Sequence, residues 1–490
     1  AGGSTTEDTA AQRPAVEPST WLYVGALTLT GVAAVLATIA MRWAPVGSAK
    51  QGRVIMVERH STWEPSTHPY DTKWYGHDAG YNYGAIYRYC QQFFEMSRLL
   101  EDEPINDARL AECDVLILKN ATARYQPTEI AAIHRFVQRG GGLLMVGDHT
   151  NFERGGTYFN DICRPMGFTF RHDLLFGMDN PYDHLFVPSW APHPVVSQMP
   201  PMDFAIACSI DPGTSWGWPI IEAASLWSMP AYYRSENFFP VPQHTPAIRY
   251  GAFIELWGTT YGKGRVLAFG DSTIFSNFST FEPGKAELMR DMLVWLNHTS
   301  PLDVRTFSLL LRVSLLLLAA VALVVGCAVA SRRRGAWIAM VAAVTAGWVI
   351  SSMAVAATHR FSFPKPANVR PQPYVVIDRT VSDAPLCKGG FIRGDGEWYG
   401  LIEQWIPRLG YVVRRQSGPD AFSGQALVVI TPNRPVSREF QKQLLHYVEE
   451  GGHLLVIESP ENLGSTANSL LWPFGLSAHP GQAWRGPLSM

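Results

Sequence analysis

Six polar residues directly follow segments that we predict to be β-strands. In open α/β sheets, ligands bind beyond the carboxyl ends of the strands, so these side chains are expected to gather at one edge. Adjacent Asp148 and His149 have the functional groups to orient a water molecule or bind a cation. We favour the alternative that Asp148 and Asp271 cap the helices after them, because carboxylates accept hydrogen bonds from free helical N–H groups. The candidate ligand-binding residues are Glu58, Asn120, Asp148, His149, Asp271 and Ser272.

Histidines form a second candidate constellation. Histidine together with carboxylates binds Zn or Fe, and extra oxygen ligands favour harder metals. The sequence has no HxH, HExxH or paired CxxC spacing. Solvated or core histidines therefore explain the pattern without a metal, and we predict no cofactor. The weak metal-ligand candidates are His149, His172 and His184, within a wider set of His60, His68, His77 and His193, with Asp78, Asp173 and Asp183 nearby.

The elements that must position these residues alternate between strands and helices. Short apolar runs rich in β-branched residues predict the strands, and apolar residues at helical spacing predict the helices. The segment TEIAAIHRFVQRGG follows Pro127, which is typical of a helix start, and it closes with glycines, which are typical of a helix end. The first block is predicted as strand Arg53–Glu58, helix Gly84–Leu100, strand Cys113–Asn120, the helix from Pro127, and strand Leu143–Gly147.

A second block repeats this order of elements. Its clearest match is between FVQRGGGLLMVGDHTN and YVEEGGHLLVIESPEN. Any α/β unit shares part of this pattern, but the repeated order of four elements favours an internal duplication. The second block is predicted as strand Tyr374–Asp378, helix Glu397–Leu409, strand Ala426–Asn433, helix Ser437–Glu450 and strand His453–Ile457.

Strands that alternate with helices over short loops predict parallel sheets with right-handed crossovers. The fold class is therefore predicted as α/β, with two doubly wound parallel-sheet domains and three transmembrane helices. The first block continues with strand Gly264–Asp271 and helix Gly284–Asn297, for which the second block has no counterpart. We expect the second copy to be shorter by nature or cut short by the end of the sequence.

These segments carry a resemblance to a known family. The run GGGLLMVGDHTN, the downstream run YGKGRVLAFGDSTIFSN and the final helix resemble the class I glutamine amidotransferase-like superfamily. Within it, the chain is most similar to the membrane-anchored bacterial branch that includes auxiliary domains of gliding-motility-type ABC transporters. The resemblance implies a flavodoxin-like, amidotransferase-like fold for both blocks.

In enzymatic members of that family, a Cys nucleophile lies on a sharp turn after a central strand, with a His partner. The corresponding turn here reads Gly147-Asp148-His149-Thr150, and in the second block Ile457-Glu458-Ser459-Pro460. Neither has Cys or Ser at the nucleophile position. Cys90, Cys113 and Cys163 fit small buried hydrophobic residues, and Cys327 lies in an apolar run. The resemblance therefore implies the fold, and we predict no catalytic residue and no enzyme activity.

Three long apolar runs account for part of the low charge of the chain. Of 490 residues, 17% are charged, and the formal net charge is −2. A near-neutral chain without clustered cations is not expected to bind nucleic acid. About 20 apolar residues suffice to span a bilayer. The predicted order is a flexible polar tail (1–20), span 21–41, a first domain (50–304), spans 307–330 and 336–358, and a second domain (370–490).

The membrane orientation follows from parity and positive charge. Arg332, Arg333 and Arg334, in the short turn between the last two spans, favour the cytoplasmic side for that turn. An odd number of spans then places both blocks in the periplasm, on the outer face of the bacterial inner membrane. The opposing signal is a set of cations that flank the spans on the block side, namely Arg42, Lys50, Arg53, Arg360 and Lys365.

Two segments, Trp63–Tyr89 and Leu185–Phe239, are rich in aromatic residues and read as long loops. Such loops either pack on their own domain and on lipid headgroups or form a contact surface, since Trp and Tyr are enriched at interfaces. We predict a non-catalytic scaffold subunit whose partners are other integral membrane subunits and, through three spans, the lipid bilayer. The alternative is a metal-assisted hydrolase or a periplasmic small-ligand binder, with carbohydrate as one possible ligand.

Overall fold

The computed structural model describes residues 19–68, 80–178, 184–204, 206–232, 241, 243–333, 335–386 and 399–479, with the backbone alone at 184, 401 and 404. These residues form two structural units. The first contains three long apolar helices, and the second contains the large β-sheets. The first unit comprises Ala1–Pro45, Trp190–His193 and Thr306–Ser362, and the second comprises Val46–Ser189, Pro194–Arg305 and Phe363–Met490.

Helices occur in both units. Three of them, α1, α6 and α7 in the list below, are long and apolar enough to cross a membrane. The three predicted membrane-spanning segments therefore form helices, as expected, and the chain is compatible with membrane association. The helices are α1 (Thr20–Arg42), α2 (Gly84–Cys90), α3 (Pro127–Gln138), α4 (Gly155–Cys163), α5 (Lys285–Leu296), α6 (Arg305–Ala330), α7 (Ala336–Ser362), α8 (Gly400–Arg408) and α9 (Arg438–Glu449), with shorter turns at Asp107–Leu110 and Ala467–Leu471.

Small residues allow the apolar helices to pack closely. A β-carbon built on Gly347 of α7 would lie 2.3 Å from the carbonyl oxygen of Gly31 in α1. A β-carbon built on Gly326 of α6 would lie 2.7 Å from the carbonyl oxygen of Ala26, also in α1. Helices in lipid associate through such close backbone approach, since no hydrophobic driving force acts between them. Helix α1 is therefore held against both helices of the hairpin at glycine positions.

We expect Gly347→Leu to separate α1 from α7, because a leucine side chain cannot fit against the Gly31 backbone. The measurement is the thermal unfolding midpoint of the full chain in mild detergent, which should fall by several degrees. The matched control is Ala346→Leu on the exposed side of the same helix, which should leave the midpoint unchanged. Equal midpoints for the two variants would contradict this packing.

Among its described residues, the second unit has twelve strands in two main sheets. Four of these strands correspond to the first block of parallel elements and four to the second block. The strands are β1 (Arg53–Val57), β2 (Glu95–Leu99), β3 (Val115–Lys119), β4 (Gly142–Val146), β5 (Asp173–Gly177), β6 (Gly217–Pro230), β7 (Arg249–Tyr261), β8 (Gly264–Phe269), β9 (Tyr374–Asp378), β10 (Val412–Gln416), β11 (Ala426–Ile430) and β12 (His453–Ile457). Two- and three-residue strands also occur at Ser48–Ala49, Thr169–Phe170, His184–Phe186, Met202–Phe204, Ile210–Asp211 and His298–Thr299.

The larger sheet has eight strands in the order β2-β1-β3-β4-β8-β7-β6-β5. The first five strands in this order run parallel to their neighbours. The remaining pairs are antiparallel. Strand β3 is buried at every position, and residues of α3 and α4, including Ile133 and Phe159, pack with Leu116 in the core on one face of the sheet. The fold is mixed α/β with a sheet rich in parallel strands.

Local sequence signals explain why helix α3 begins and ends where it does. Pro127 occupies the first helical position, where its missing N–H costs no hydrogen bond. The Glu129 carboxylate accepts a hydrogen bond from the Gln126 N–H at 2.8 Å, as in a capping box. After the helix, Gly140 has a φ of +118°, which favours glycine. Strand β4 starts two residues later and carries the chain to the candidate site.

The smaller sheet has four parallel strands in the order β10-β9-β11-β12. The corresponding strands of the larger sheet are arranged as β2-β1-β3-β4. In both sheets the second strand along the chain therefore lies at the edge, followed by the first, the third and the fourth. In the larger sheet β4 pairs onward with β8. In the smaller sheet β12 is the last strand among the described residues.

One predicted helix is wrong over its second half. The helix predicted for Gly84–Leu100 ends at Cys90, and Glu95–Leu99 forms strand β2 at the edge of the larger sheet. The apolar residues of this segment fit a helical period, but parallel pairing of Glu95–Leu99 with β1 gives the segment a better partner. The equivalent strand Val412–Gln416 of the second block was also missed.

The prediction of an all-parallel first sheet is also wrong. Gly217–Pro230 forms the long strand β6, which pairs with β7 in an antiparallel ribbon. We predicted a loop here because the segment is dense in aromatic residues. The segment instead forms a strand whose register shifts between Pro219 and Ile221 and again between Ala223 and Leu226.

Candidate functional site

The candidate residues at the strand ends are buried. They follow β1, β3, β4 and β8, which are adjacent strands of the larger sheet. None of the six is more than 7% exposed. The edge therefore gathers them inside the protein, where they must satisfy one another. The six residues are Glu58, Asn120, Asp148, His149, Asp271 and Ser272.

Ser272 connects two buried carboxyl groups. Its hydroxyl oxygen lies 2.9 Å from Oδ2 of Asp148 and 2.7 Å from Oε1 of Glu64. The Tyr83 hydroxyl donates to the carbonyl oxygen of Ser272 at 2.6 Å. Glu64 is 2% exposed, and its Oε2 has no hydrogen-bond partner among the described residues. Asp148 and Ser272 were both predicted, whereas Glu64 was missed because it lies in the aromatic segment after β1.

The geometry around Ser272 requires a proton on one of the two carboxyl groups. A serine hydroxyl has one hydrogen to donate, so it cannot donate to two carboxylates at once. One carboxyl must carry a proton and donate to the serine, while the serine donates to the other. The electrostatics agree, because burial, and secondarily the charge of Asp148, raise the pKa of Glu64 well above its usual value. Burial also raises the pKa of Asp148, against the opposing effects of His149 and Ser272.

We expect Glu64→Gln to raise the thermal unfolding midpoint at pH 8. The amide can donate to Ser272 as a protonated glutamate does, but it has no proton to lose. With a raised folded-state pKa, the contribution of Glu64 to stability is greatest below its unfolded pKa near 4.5 and is lost as the pH rises towards the folded pKa. The variant should therefore match the wild type near pH 4 and exceed it increasingly above, by several degrees at pH 8.

The control for this experiment is Glu222→Gln, which changes an exposed carboxylate on β6. It should show no growing difference from the wild type as the pH rises. If Glu64→Gln lowered the midpoint equally at all pH values, Glu64 would be ionised in the folded protein, and the raised pKa of Glu64 would be wrong.

Lys119 and Glu58 form a second buried polar group beside the first. Nζ of Lys119 lies 3.0 Å from Oε2 of Glu58 and donates to the Ser61 hydroxyl at 3.0 Å. The N–H of Ser66 donates to Oε1 of Glu58 at 3.2 Å, and its hydroxyl donates to the same oxygen. Burial lowers the pKa of the Lys119 ammonium, while the charge of Glu58 raises it. Lys119 was missed because it was treated as part of a buried strand, although a lysine in the run VLILK was a visible signal.

We expect Lys119→Met to destabilise the second unit by about 3–5 kcal/mol, because it leaves the Glu58 carboxylate buried without a counter-charge. Adding Glu58→Gln should recover a large part of this loss. The measurement is a double-mutant cycle by chemical unfolding of the full chain in detergent. Lys263→Met, at an exposed hairpin position, is the control and should be close to neutral. Additive effects of the two substitutions would contradict the pairing.

The carboxylates of Asp148 and Asp271 both bond to the turns that follow them. Oδ1 of Asp148 accepts from the N–H of His149 at 2.7 Å, at the start of the 3₁₀ turn His149–Arg154. Oδ1 of Asp271 accepts from the N–H of Ile274 at 3.3 Å. Asp148 is the N-cap residue of its turn, which agrees with the capping interpretation, whereas the N-cap residue of the turn after β8 is Ser272. The second carboxyl oxygen of Asp148, Oδ2, contacts the Ser272 hydroxyl.

The turn after β4 has an unusual backbone. Thr150 and Asn151 have φ angles of +52° and +53°, and Glu153 and Arg154 are also in the left-handed region. Each such residue costs of the order of 1 kcal/mol and persists only where surrounding contacts hold it. Asn151 supplies part of that hold, because its Oδ1 accepts from the Thr157 N–H at 2.9 Å.

His149 is held as a neutral imidazole in this turn. Its Nδ1 lies 3.0 Å from the Thr150 hydroxyl. Burial lowers the pKa of His149, and the charge of Asp148 raises it less. A neutral, nearly fully buried ring has no open position for a substrate.

The histidine candidates whose side chains are described do not assemble into a metal site. No group of three or more His, Cys, Asp or Glu side chains is placed to hold a metal ion within the described part of the chain. His60 instead pairs with Glu129 at 2.8 Å, and Asp173 accepts from Ser209 and Ser228 at 2.6 Å each. His172 packs its ring against Tyr232.

Several members of the histidine constellation cannot be assessed in this way. His77, Asp78 and Asp183 lie outside the described residues, and for His184 only the backbone is described. His68 is exposed, with Nδ1 3.2 Å from the Thr67 hydroxyl. His193 belongs to the first unit.

The three cysteines that the sequence analysis assigned to the core are core residues. Cys90, Cys113 and Cys163 are buried. Burial raises the pKa of the Cys113 thiol to about 12, and it raises the pKa of Cys90 and Cys163 as well. A nucleophilic cysteine needs a lowered pKa, so none of these three thiols is activated.

Comparison with known proteins leaves the family open. No protein-family model matches the sequence, and no curated protein matches it. Among solved structures, the N-terminal domain of mmIFT52 is similar at 11% identity and a TM-score of 0.37, over 50% of this chain and 96% of that domain. A ThuA-like protein from Parabacteroides merdae is 12% identical over 51% of this chain and 92% of its own, with a TM-score of 0.29.

A β-galactosidase from Bacillus circulans is similar at 12% identity and a TM-score of 0.25, over 46% of this chain and 30% of the enzyme. All three TM-scores are below 0.5. We therefore infer neither fold nor function from these similarities.

Proposed function

We propose that this protein is a non-catalytic, membrane-anchored scaffold subunit of a larger bacterial membrane assembly. The observation that carries the proposal is the closure of the strand-end edge. Of the side chains that would form an active site, Asp148 and Ser272 are buried and bonded to each other, and Ser272 also bonds to Glu64. Catalytic and ligand-binding groups normally line an accessible pocket. A filled edge instead supports a structural role for these residues.

We further propose that both blocks are degenerate amidotransferase-like domains that arose by duplication. The identical order of the four parallel strands in the two sheets supports the duplication. The strained turn after β4 carries Asp148 and His149 at the place of the nucleophile, which supports the loss of the chemistry. In this proposal each block is a doubly wound domain, and the second is the shorter copy.

The proposed location is the bacterial inner membrane, with both blocks in the periplasm. Three apolar helices support membrane insertion. Arg332 and Arg333, in the turn between α6 and α7, support a cytoplasmic position for that turn. An odd number of crossings then places both blocks on the opposite side.

The aromatic ribbon formed by β6 and β7 supports a contact with another protein. Part of its aromatic content belongs to the core, since Trp218 and Trp227 are buried. Tyr250, in β7 of the ribbon, is instead 59% exposed. Tyr232, two residues after the end of β6, is 63% exposed. Exposed tyrosines are typical of the anchoring residues of protein interfaces. We therefore propose this surface as part of the partner contact.

The test is purification of the full chain from native membranes in mild detergent, with identification and quantification of co-purifying proteins. We expect a stoichiometric integral membrane partner. Replacing Tyr232 and Tyr250 by serine should reduce its recovery several-fold, whereas Leu463→Ser, at a 98% exposed position of the second block, should not. His149→Ala should retain the partner, because the proposal gives His149 no contact with it.

Two outcomes would overturn the scaffold proposal. A protein that purifies alone and monomeric would remove the assembly. Stoichiometric metal in the wild type, lost in His149→Ala, would favour the alternative of a metal-assisted hydrolase.

A further inference from the structure

A second polar site lies in the second unit, away from the strand-end edge. It is a cavity of about 580 Å³ between elements of the first and the second block. The end of α2 and the start of α5 form one wall, and the segment Pro407–Gln416 forms the other, with the chain after Phe363 between them. This volume is within the range of small-molecule binding sites.

Cations outnumber carboxylates in the wall of this cavity. Five arginine or lysine residues and two glutamates line it. Of the two glutamates, Glu282 is already paired with Lys285 at 2.6 Å. Arg415 is paired with Glu403 at 2.5 Å, and Arg290 with Asp291 at 2.6 Å. The other lining cations are Arg88, Arg414 and Lys365, and the other lining carboxylate is Glu287.

Arg88 reaches from the first block to the second. A β-carbon built on Gly410 would lie 3.9 Å from Nη1 of Arg88. Burial lowers the pKa of Arg88, with no compensating effect from a carboxylate. The Gln372 amide donates to the Arg88 carbonyl oxygen at 2.6 Å, which ties the connecting chain to the same helix. Arg88 thus presents a half-buried guanidinium without an ion-pair partner among the described residues.

Several further hydrogen-bond donors of the wall are unsatisfied. The Nε of Arg414, which lies over the Tyr374 ring, has no acceptor among the described residues. The hydroxyls of Tyr89 and Thr280 also have no hydrogen-bond partner there, and both residues are at least nine-tenths buried. Buried donors without acceptors are destabilising, and native proteins rarely retain several in one place without a reason.

We propose that this cavity binds a small ligand through a phosphate monoester group, with Arg88 and Arg414 as its principal contacts. Guanidinium groups suit this chemistry because their planar forks match pairs of phosphate oxygens. The anion relieves the repulsion among the lining cations and supplies acceptors to their N–H groups. Since Arg88 belongs to the first block and Arg414 to the second, the bound ligand joins the two blocks. This ligand-dependent coupling goes beyond the scaffold role.

The test is a thermal-shift and calorimetric titration of the full chain in mild detergent. The probes are inorganic phosphate, glycerol 3-phosphate and short-chain phosphatidic acid, each against sodium chloride at equal ionic strength. We expect saturable stabilisation by at least one phosphate monoester and none by chloride. Tighter binding of glycerol 3-phosphate identifies a soluble ligand, and tighter binding of phosphatidic acid identifies a lipid headgroup.

Variants of the wall assign the site. Arg88→Met and Arg414→Met should each weaken binding by about tenfold or more, because each removes charge-assisted hydrogen bonds. Glu287→Gln should strengthen binding a few-fold, because it removes an opposing charge. The control is Arg438→Met, which changes an exposed arginine on α9 and should leave the affinity unchanged.

A further variant separates binding from folding. Arg88→Lys keeps the charge but loses the planar fork, so it should retain the unfolding midpoint of the unliganded protein and still bind phosphate more weakly. The proposal is overturned if no probe stabilises the protein beyond chloride, or if Arg88→Met, Arg88→Lys and Arg414→Met all bind with wild-type affinity. Neither result bears on co-purification of the membrane partner, so failure here is distinguishable from failure of the scaffold proposal.

Discussion

The need to neutralise buried charge at the carboxyl ends of the parallel strands governs the structure of the second unit. Lys119 ends strand β3 inside the protein, where an unpaired ammonium group costs several kcal/mol. Glu58, at the end of the adjacent strand, supplies the counter-charge at 3.0 Å. The segment after β1 must then fold back over the edge, because Ser61 and Ser66 complete the hydrogen bonds of this pair.

The same constraint explains the neighbouring carboxyl pair. Glu64 lies on the segment that covers Lys119, and its carboxyl meets Asp148 across Ser272. Two acids this close in a buried environment keep one proton between them, because burial and the mutual repulsion of two ionised carboxylates outweigh the attraction of Lys119 for Glu64. The edge of a fold that often binds ligands is here filled by an internal network. The strained turn at Thr150 and Asn151 remains as part of that network.

The two polar regions of the second unit contrast in their charge balance. At the strand ends, Glu64 and Asp148 share the Ser272 hydroxyl, and Lys119 is paired with Glu58, all within the first block. In the cavity between the blocks, Arg88 and Arg414 are left without carboxylate partners among the described residues, whereas Arg290 and Arg415 are paired. The charges of the first region are therefore balanced mainly within the protein, and the second region is the place where we propose that an added anion binds. Such a ligand adds to an existing contact between the blocks, in which Phe281 of the first block packs with Ile377 and Val428 of the second.

Local patterns in the sequence determined the elements. Periodicity and end signals act over a few residues. They predict the three long apolar helices, the helix from Pro127, and the strands that lead into Glu58, Asn120 and Asp148. Strand β2 and the ribbon of β6 and β7 were missed, because edge pairing and β-bulges override local period. The closure of the strand-end edge was also beyond the sequence, since Glu64 and Ser272 are 208 residues apart. The sequence thus placed polar side chains at the strand ends. Only the tertiary structure decided which of them bond to one another. Their hydrogen-bond partners come from distant parts of the chain, and the same neighbours bury them and shift their pKa values.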